Sequence, residues 1–135
     1  MRIKISLIGI FILSVFSSCK NNNQVETLKS EVMTIHDEVM PEMGTLMNLQ
    51  KELKERISRR DNVDQSMADS LNRLVKQLEE ADEAMMQWMR TYKEPSEELS
   101  QEEAMEYLEM KKNEILEVKE KIKTSETRAK EALQN

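Results

Sequence analysis

MADSLNRLVKQLEEADEAMMQWMRTY, residues 67–92, is the stretch whose reading decides the fold. Met67, Leu71, Leu74, Leu78, Ala81, Met85, Trp88 and Tyr92 follow one another at alternating steps of four and three. That spacing lays one apolar stripe along a helix. A helix with a single stripe is stable only when the stripe is covered, so the rest of the chain has to supply partner helices. Glu94 precedes Pro95, and proline turns the residue before it away from helical geometry, which ends this helix near Tyr92.

The partners lie on both sides of it. Upstream, Val25, Leu28, Val32, Ile35 and Val39 carry a stripe that Met43, Leu46, Gln50, Leu53 and Ile57 continue after one stutter at Pro41. A helix over about 24–60 is expected, bent between Asp37 and Gly44 because proline removes a backbone donor and clashes with the preceding turn. Lys51, Lys54, Arg56, Arg59 and Arg60 crowd its end, where cations offset the helix dipole. Asp61-Asn62-Val63-Asp64 supplies turn and N-cap residues for the second helix, over about 64–92. Ser100-Gln101-Glu102-Glu103 has the form of a capping box and opens a third, over about 100–133. Its stripe, Leu108, Ile115, Val118, Ile122, Ala129 and Ala132, is interrupted by Lys111 and Ser125, so it is expected to pack least well and to fray at its end. Three such helices with short links give an all-α, antiparallel up-down-up bundle of coiled-coil character, roughly 50 Å long.

Composition agrees. Beyond residue 18 the chain has one glycine, Gly44, and two prolines, Pro41 and Pro95, which leaves little to build the turns of a β-fold. The net charge of −6 argues against nucleic acid as a partner.

The first residues address the chain to a membrane. Arg2 and Lys4 precede an apolar run from Ile5 to Phe16, and Ser17-Ser18 bring small residues up to Cys19. This is the layout of a cleaved export signal over residues 1–18, and the run is shorter than the ~20 residues a spanning helix needs. Phe16-Ser17-Ser18-Cys19 resembles the lipobox of bacterial lipoproteins, although Phe16 stands where an aliphatic residue is usual. The resemblance implies lipid attachment at Cys19, which becomes the new N-terminus. Processing would leave 117 of the 135 residues and lower the formal charge from −6 to about −8, since Arg2 and Lys4 leave with the signal. Residues 19–23 then read as a polar tether of at most ~15 Å. Lys20 takes the place of the aspartate that resembles an inner-membrane retention signal, so the expected location is the cell envelope, on the outer membrane facing the periplasm.

Catalysis has few residues to work with. His36 is the only histidine and Cys19 the only cysteine, and no glycine-rich phosphate loop or Gly-x-Ser-x-Gly elbow occurs. An enzyme is not expected. The constellation to weigh is rich in methionine. Met33, His36, Met40, Met43 and Met47 recur at steps of three and four, and Met85, Met86, Trp88 and Met89 crowd two turns of the second helix. Antiparallel pairing about Asp61 would bring His36 level with Met86 and Met33 level with Met89, and pairing about Ser96 would bring Trp88 level with residue 104, beside Met105.

Several readings of that layer stay open. Methionine fills irregular gaps and packs well on aromatic rings, so the layer is expected first as core. Thioether and imidazole also suit Cu(I) or Ag(I), with Met33, His36, Met40, Met85, Met89 and Trp88 as the candidate residues. Exposed methionines could instead form an adaptable surface for a protein partner, as in a chaperone-like binding module, and a plain coiled-coil spacer is a further reading. Met-x-x-His and His-x-x-x-Met around His36 resemble motifs of periplasmic silver- and copper-binding proteins. A tryptophan beside Met and His resembles the site of a small periplasmic copper chaperone.

Residues 35–44 (IHDEVMPEMG) and 81–92 (ADEAMMQWMRTY) are similar to segments of small helical lipoproteins of Bacteroidota that often carry the label "viral A-type inclusion protein". The resemblance implies a lipid-anchored helical protein and supplies no activity and no site residues. The sequence thus leads to a lipid-anchored structural or protein-interaction module without an assigned cofactor.

Overall fold

The computed structural model describes residues 19–59 and 64–134, with side chains from residue 23 onward. The export signal, the thiol of Cys19 and the turn residues Asp61 to Val63 lie outside the described residues. Four helices follow in order: α1 (Cys19–Val39), α2 (Glu42–Ser58), α3 (Gln65–Thr91) and α4 (Gln101–Gln134). No strand occurs among the described residues, and the architecture is an all-α helical bundle.

α1 and α2 make the first leg. Where a bend was expected the leg is interrupted, with Met40 and Pro41 in a turn between the two helices. Pro41 keeps helical torsions, φ −61° and ψ −28°, so the chain continues forward although the proline ring leaves one backbone carbonyl without its donor. The first leg also begins earlier than residue 24, because the backbone is helical from Cys19 onward and the expected tether over 19–23 is part of α1. Polar residues without a stripe can extend a helix once a packed segment has nucleated it, since each added residue gains a backbone bond at little cost.

The second leg, α3, opens as the sequence suggested. The Asp64 carboxylate accepts from the Met67 amide at 2.8 Å, satisfying one of the unpaired donors of the first turn. At the start of α4, the Ser100 amide donates to Glu103 Oε2 at 2.9 Å and the Glu103 amide donates to Ser100 Oγ at 3.3 Å, a closed capping box.

Ion pairs give the direction of each leg. Glu31 and Glu38, one heptad apart on α1, meet Lys112 and Lys119, one heptad apart on α4, at 2.6 and 2.7 Å. The equal spacing makes α1 and α4 parallel. Lys54 of α2 meets Glu79 of α3 at 2.8 Å, while upstream His36 meets Trp88, so the first two legs are antiparallel. α1 rests mainly on α4, and α2 on both α3 and α4.

The core is a column of leucine, isoleucine and valine from all legs. Val32, Leu46, Leu53, Leu78, Met85, Leu108 and Ile115 are sealed from solvent. Fully burying one such side chain is worth about 1.5–3 kcal/mol, so the column dominates the stability. Leu49 takes the core place expected of Gln50, which is half-buried. Met67, expected on the stripe of the second helix, lies exposed near the start of α3.

α4 departs most from expectation. Rather than the weakest packer, it is the element that touches all three others, and it remains helical to Gln134. Its polar interruptions are satisfied in place. Lys111 pairs with Glu114 at 2.8 Å, and Ser125 Oγ donates to the Ile122 carbonyl at 2.9 Å. Arg56 donates to the Ala132 carbonyl at 2.8 Å, so a cation expected to offset its own helix's dipole instead caps the end of α4.

Candidate functional site

The only histidine, the only tryptophan and both tyrosines gather where α1, α3 and α4 meet. The His36 ring stacks on Trp88 with centroids 5.7 Å apart and an interplanar angle of 29°. Trp88 stacks in turn on Tyr92 at 4.9 Å and 16°. The ladder follows from spacing. Trp88 and Tyr92 stand four residues apart at the end of α3, and Tyr92 leaves the helix with extended torsions that lay its ring along the preceding turn.

On the other side of Trp88 lies α4. The indole Nε1–H donates to the Lys111 carbonyl at 3.0 Å, which satisfies a buried donor that would otherwise cost about 1–3 kcal/mol. The Lys111 side chain is buried as well. Its ammonium donates to Glu114 at 2.8 Å and to Thr91 Oγ1 at 3.2 Å, and lies 5.9 Å from the centre of the Tyr107 ring. Tyr107 accepts at its hydroxyl from the Lys93 amide at 2.8 Å, which pins the link between α3 and α4. Burial, and next the Glu94 carboxylate, push the Tyr92 hydroxyl above its ordinary range.

This geometry corrects one expected level. Trp88 lies opposite Lys111, not residue 104 beside Met105. The link departs from Thr91 through extended residues, and each advances ~3.3 Å where a helical residue advances 1.5 Å. The start of α4 is thereby carried well past the end of α3. Lys111 is the residue that sequence reasoning missed, since a lysine on a stripe reads as an interruption. The tyrosine at position 107, four residues before it, is the signal that could have marked it.

His36 of α1 meets Trp88 of α3, two residues beyond the expected Met86, but the main partner of α1 is α4 rather than α3. Met33 precedes His36 by three residues on α1, and Met40 follows in the turn before α2. Glu79, one heptad before Met86, pairs with Lys54 of the first leg, so the Met86–Met89 flank of α3 faces the first leg too. The opposite flank, with Gln77 and Thr91, faces α4 through Arg128 and Lys111. The seam where α1 meets α3 is marked by His36 on one side and Trp88 on the other.

Exposure varies along the seam. Met85 is fully sealed in the core, and Met33 and Met89 are half-buried. Met40 and Met86 are 36% and 40% exposed at the open side. The His36 side chain is 18% exposed, and its Nδ1 lies 3.0 Å from Asp37 Oδ1. A carboxylate only accepts, so the imidazole is the donor in that contact. Among the described residues no group of three or more His, Cys, Asp and Glu side chains could hold a metal ion.

The chain matches no protein-family model, no curated protein and no solved structure.

Proposed function

We propose that this chain is a lipid-anchored protein of the cell envelope, attached through Cys19 to the outer membrane on its periplasmic side, and that its bundle is a protein-interaction module. The anchor rests on the basic start, the short apolar run and the Ser17-Ser18-Cys19 junction. Several acyl chains on one cysteine hold a protein at a membrane stably, whereas a single chain holds it only marginally. No described helix is long and apolar enough to cross a membrane. With α1 helical from Cys19, the seam of α1 and α3 and the link before α4 stand at the end of the bundle nearest the lipid.

The observation that carries the interaction reading is the set of exposed methionines, which outnumber the exposed leucines Leu99 and Leu116. Met47 on α2 is 65% exposed, and Met67 and Met86 on α3 and Met110 on α4 also stand out. Flexible, polarizable thioethers make surfaces that adapt to apolar partners. Photo-crosslinking from position 47 in the native host tests it: a discrete adduct with one envelope protein is expected. Diffuse labelling equal to that from the charged position Lys76 would reject the module. Blocking lipoprotein signal cleavage should make the precursor accumulate, and unchanged migration would reject the anchor.

A further inference from the structure

We propose that the cavity between α4 and the Met40–Pro41 interruption of the first leg binds a small zwitterion, an amino acid with an aliphatic side chain, whose ammonium goes to Glu126 and whose carboxylate goes to Lys123. The cavity measures about 310 Å³, near the lower end of the ~300–1,000 Å³ usual for small-molecule sites. Glu38 and Val39 at the end of α1 and Glu42 at the start of α2 form one wall, and Lys119, Ile122, Lys123, Glu126 and Lys130 of α4 form the other.

Three features of this cavity support the assignment. The first is an orphaned acceptor. The Glu126 side chain is 8% exposed, and its Oε2 accepts from Lys130 at 2.8 Å, while its Oε1 is buried and accepts no hydrogen bond. A buried carboxylate oxygen without a donor has lost its water and gained nothing in return, which a ligand N–H corrects. Lys130 is half-exposed and stands one turn away, and such a pair is weak enough for an incoming ammonium to displace it. Glu42 then offers the displaced lysine a second carboxylate: it already acts on the Lys130 ammonium, which is held above its ordinary range first by the hydrogen bond to Glu126.

The second feature is charge. Three glutamates and three lysines line the cavity, so a ligand without net charge leaves it balanced. Glu38 pairs with Lys119 at 2.7 Å and Glu126 with Lys130, which leaves Lys123 as the cation that neither pair uses. The third is the apolar floor: Val39 and Ile122 are both buried and suit an aliphatic side chain. The site requires neither the lipid nor a protein partner, so it stands apart from the interaction reading.

The test is isothermal titration calorimetry of the full chain in detergent with L-leucine. One molecule per chain is expected. Isocaproate, which lacks the ammonium, and isoamylamine, which lacks the carboxylate, should each bind at least about tenfold more weakly, as the loss of a hydrogen bond to a charged group requires. Glu126→Gln and, separately, Lys123→Met should weaken leucine binding by the same order, and Lys76→Met, outside the cavity, should leave it unchanged. Lys123 is exposed, so its replacement tests the site even where Glu126→Gln disturbs the core. Absence of binding by the parent chain would overturn the site, as would binding that survives both variants or that isocaproate matches. Circular dichroism of each variant confirms that the helices persist.

Discussion

His36 and Trp88 lie face to face across the seam of α1 and α3, and Trp88 ties the same point to α4 through the Lys111 carbonyl. One indole thus joins three helices. Trp88→Ala should cost about 3–5 kcal/mol in urea unfolding, as expected for a large buried aromatic. A double-mutant cycle between His36→Ala and Trp88→Ala should return a coupling of about 0.5–1.5 kcal/mol, and a value near zero would mean that the stack contributes nothing.

Lys111 occupies a core position with its charge matched by Glu114 and its ammonium 5.9 Å from the centre of the Tyr107 ring. Losing one member of a buried ion pair is costly when the other charge stays buried, but Glu114 is 42% exposed and returns to water when Lys111 becomes apolar. Lys111→Met should therefore unfold at a temperature equal to or above that of the parent chain. A large loss of stability would show that the ammonium is required, not merely tolerated.

Gly44 sits in the first turn of α2, and a Cβ built there meets nothing within 4 Å. Gly44→Ala should add up to about 1 kcal/mol by restricting the unfolded chain without a clash. A thermal melt at lower temperature would contradict the helical placement of this residue.

The Glu103 carboxyl is held below its ordinary range by the Ser100 hydroxyl and, next, by the Ser100 amide. A depressed folded-state value means that this group's contribution is complete above the unfolded carboxylate range and is lost as pH falls through the folded value. NMR titration should find Glu103 below the other exposed glutamates, and Ser100→Ala should bring it back toward them. Identical titration in both chains would reject the closed capping box.

The helices were legible in the sequence because a 3.5-residue period survives local noise. Leu28, Val32, Leu46, Leu53, Leu71, Leu78, Leu108 and Ile115 are buried as their spacing required. The stripe is broad enough that Val75 could be buried where Leu74 was expected, without changing the face that packs. The register of α4 was not legible, since it depends on how far the extended link after Thr91 travels, and spacing in sequence does not encode that. Nor was the reach of Arg56 to Ala132, a contact between the ends of α2 and α4 made by a long flexible side chain. Of the candidate site, the meeting of His36 with Trp88 followed from antiparallel pairing, while the buried Lys111 cluster was hidden by its resemblance to a solvated interruption.

The proposed place of the protein in the envelope depends most on the fate of Cys19. Intact mass measurement of the protein recovered from membranes of its native host tests this directly. A chain that begins at Cys19, carrying a diacylglyceryl thioether and an acylated amine and lacking residues 1–18, is the predicted result. A chain that retains Met1, or that begins at Cys19 without lipid, would contradict it.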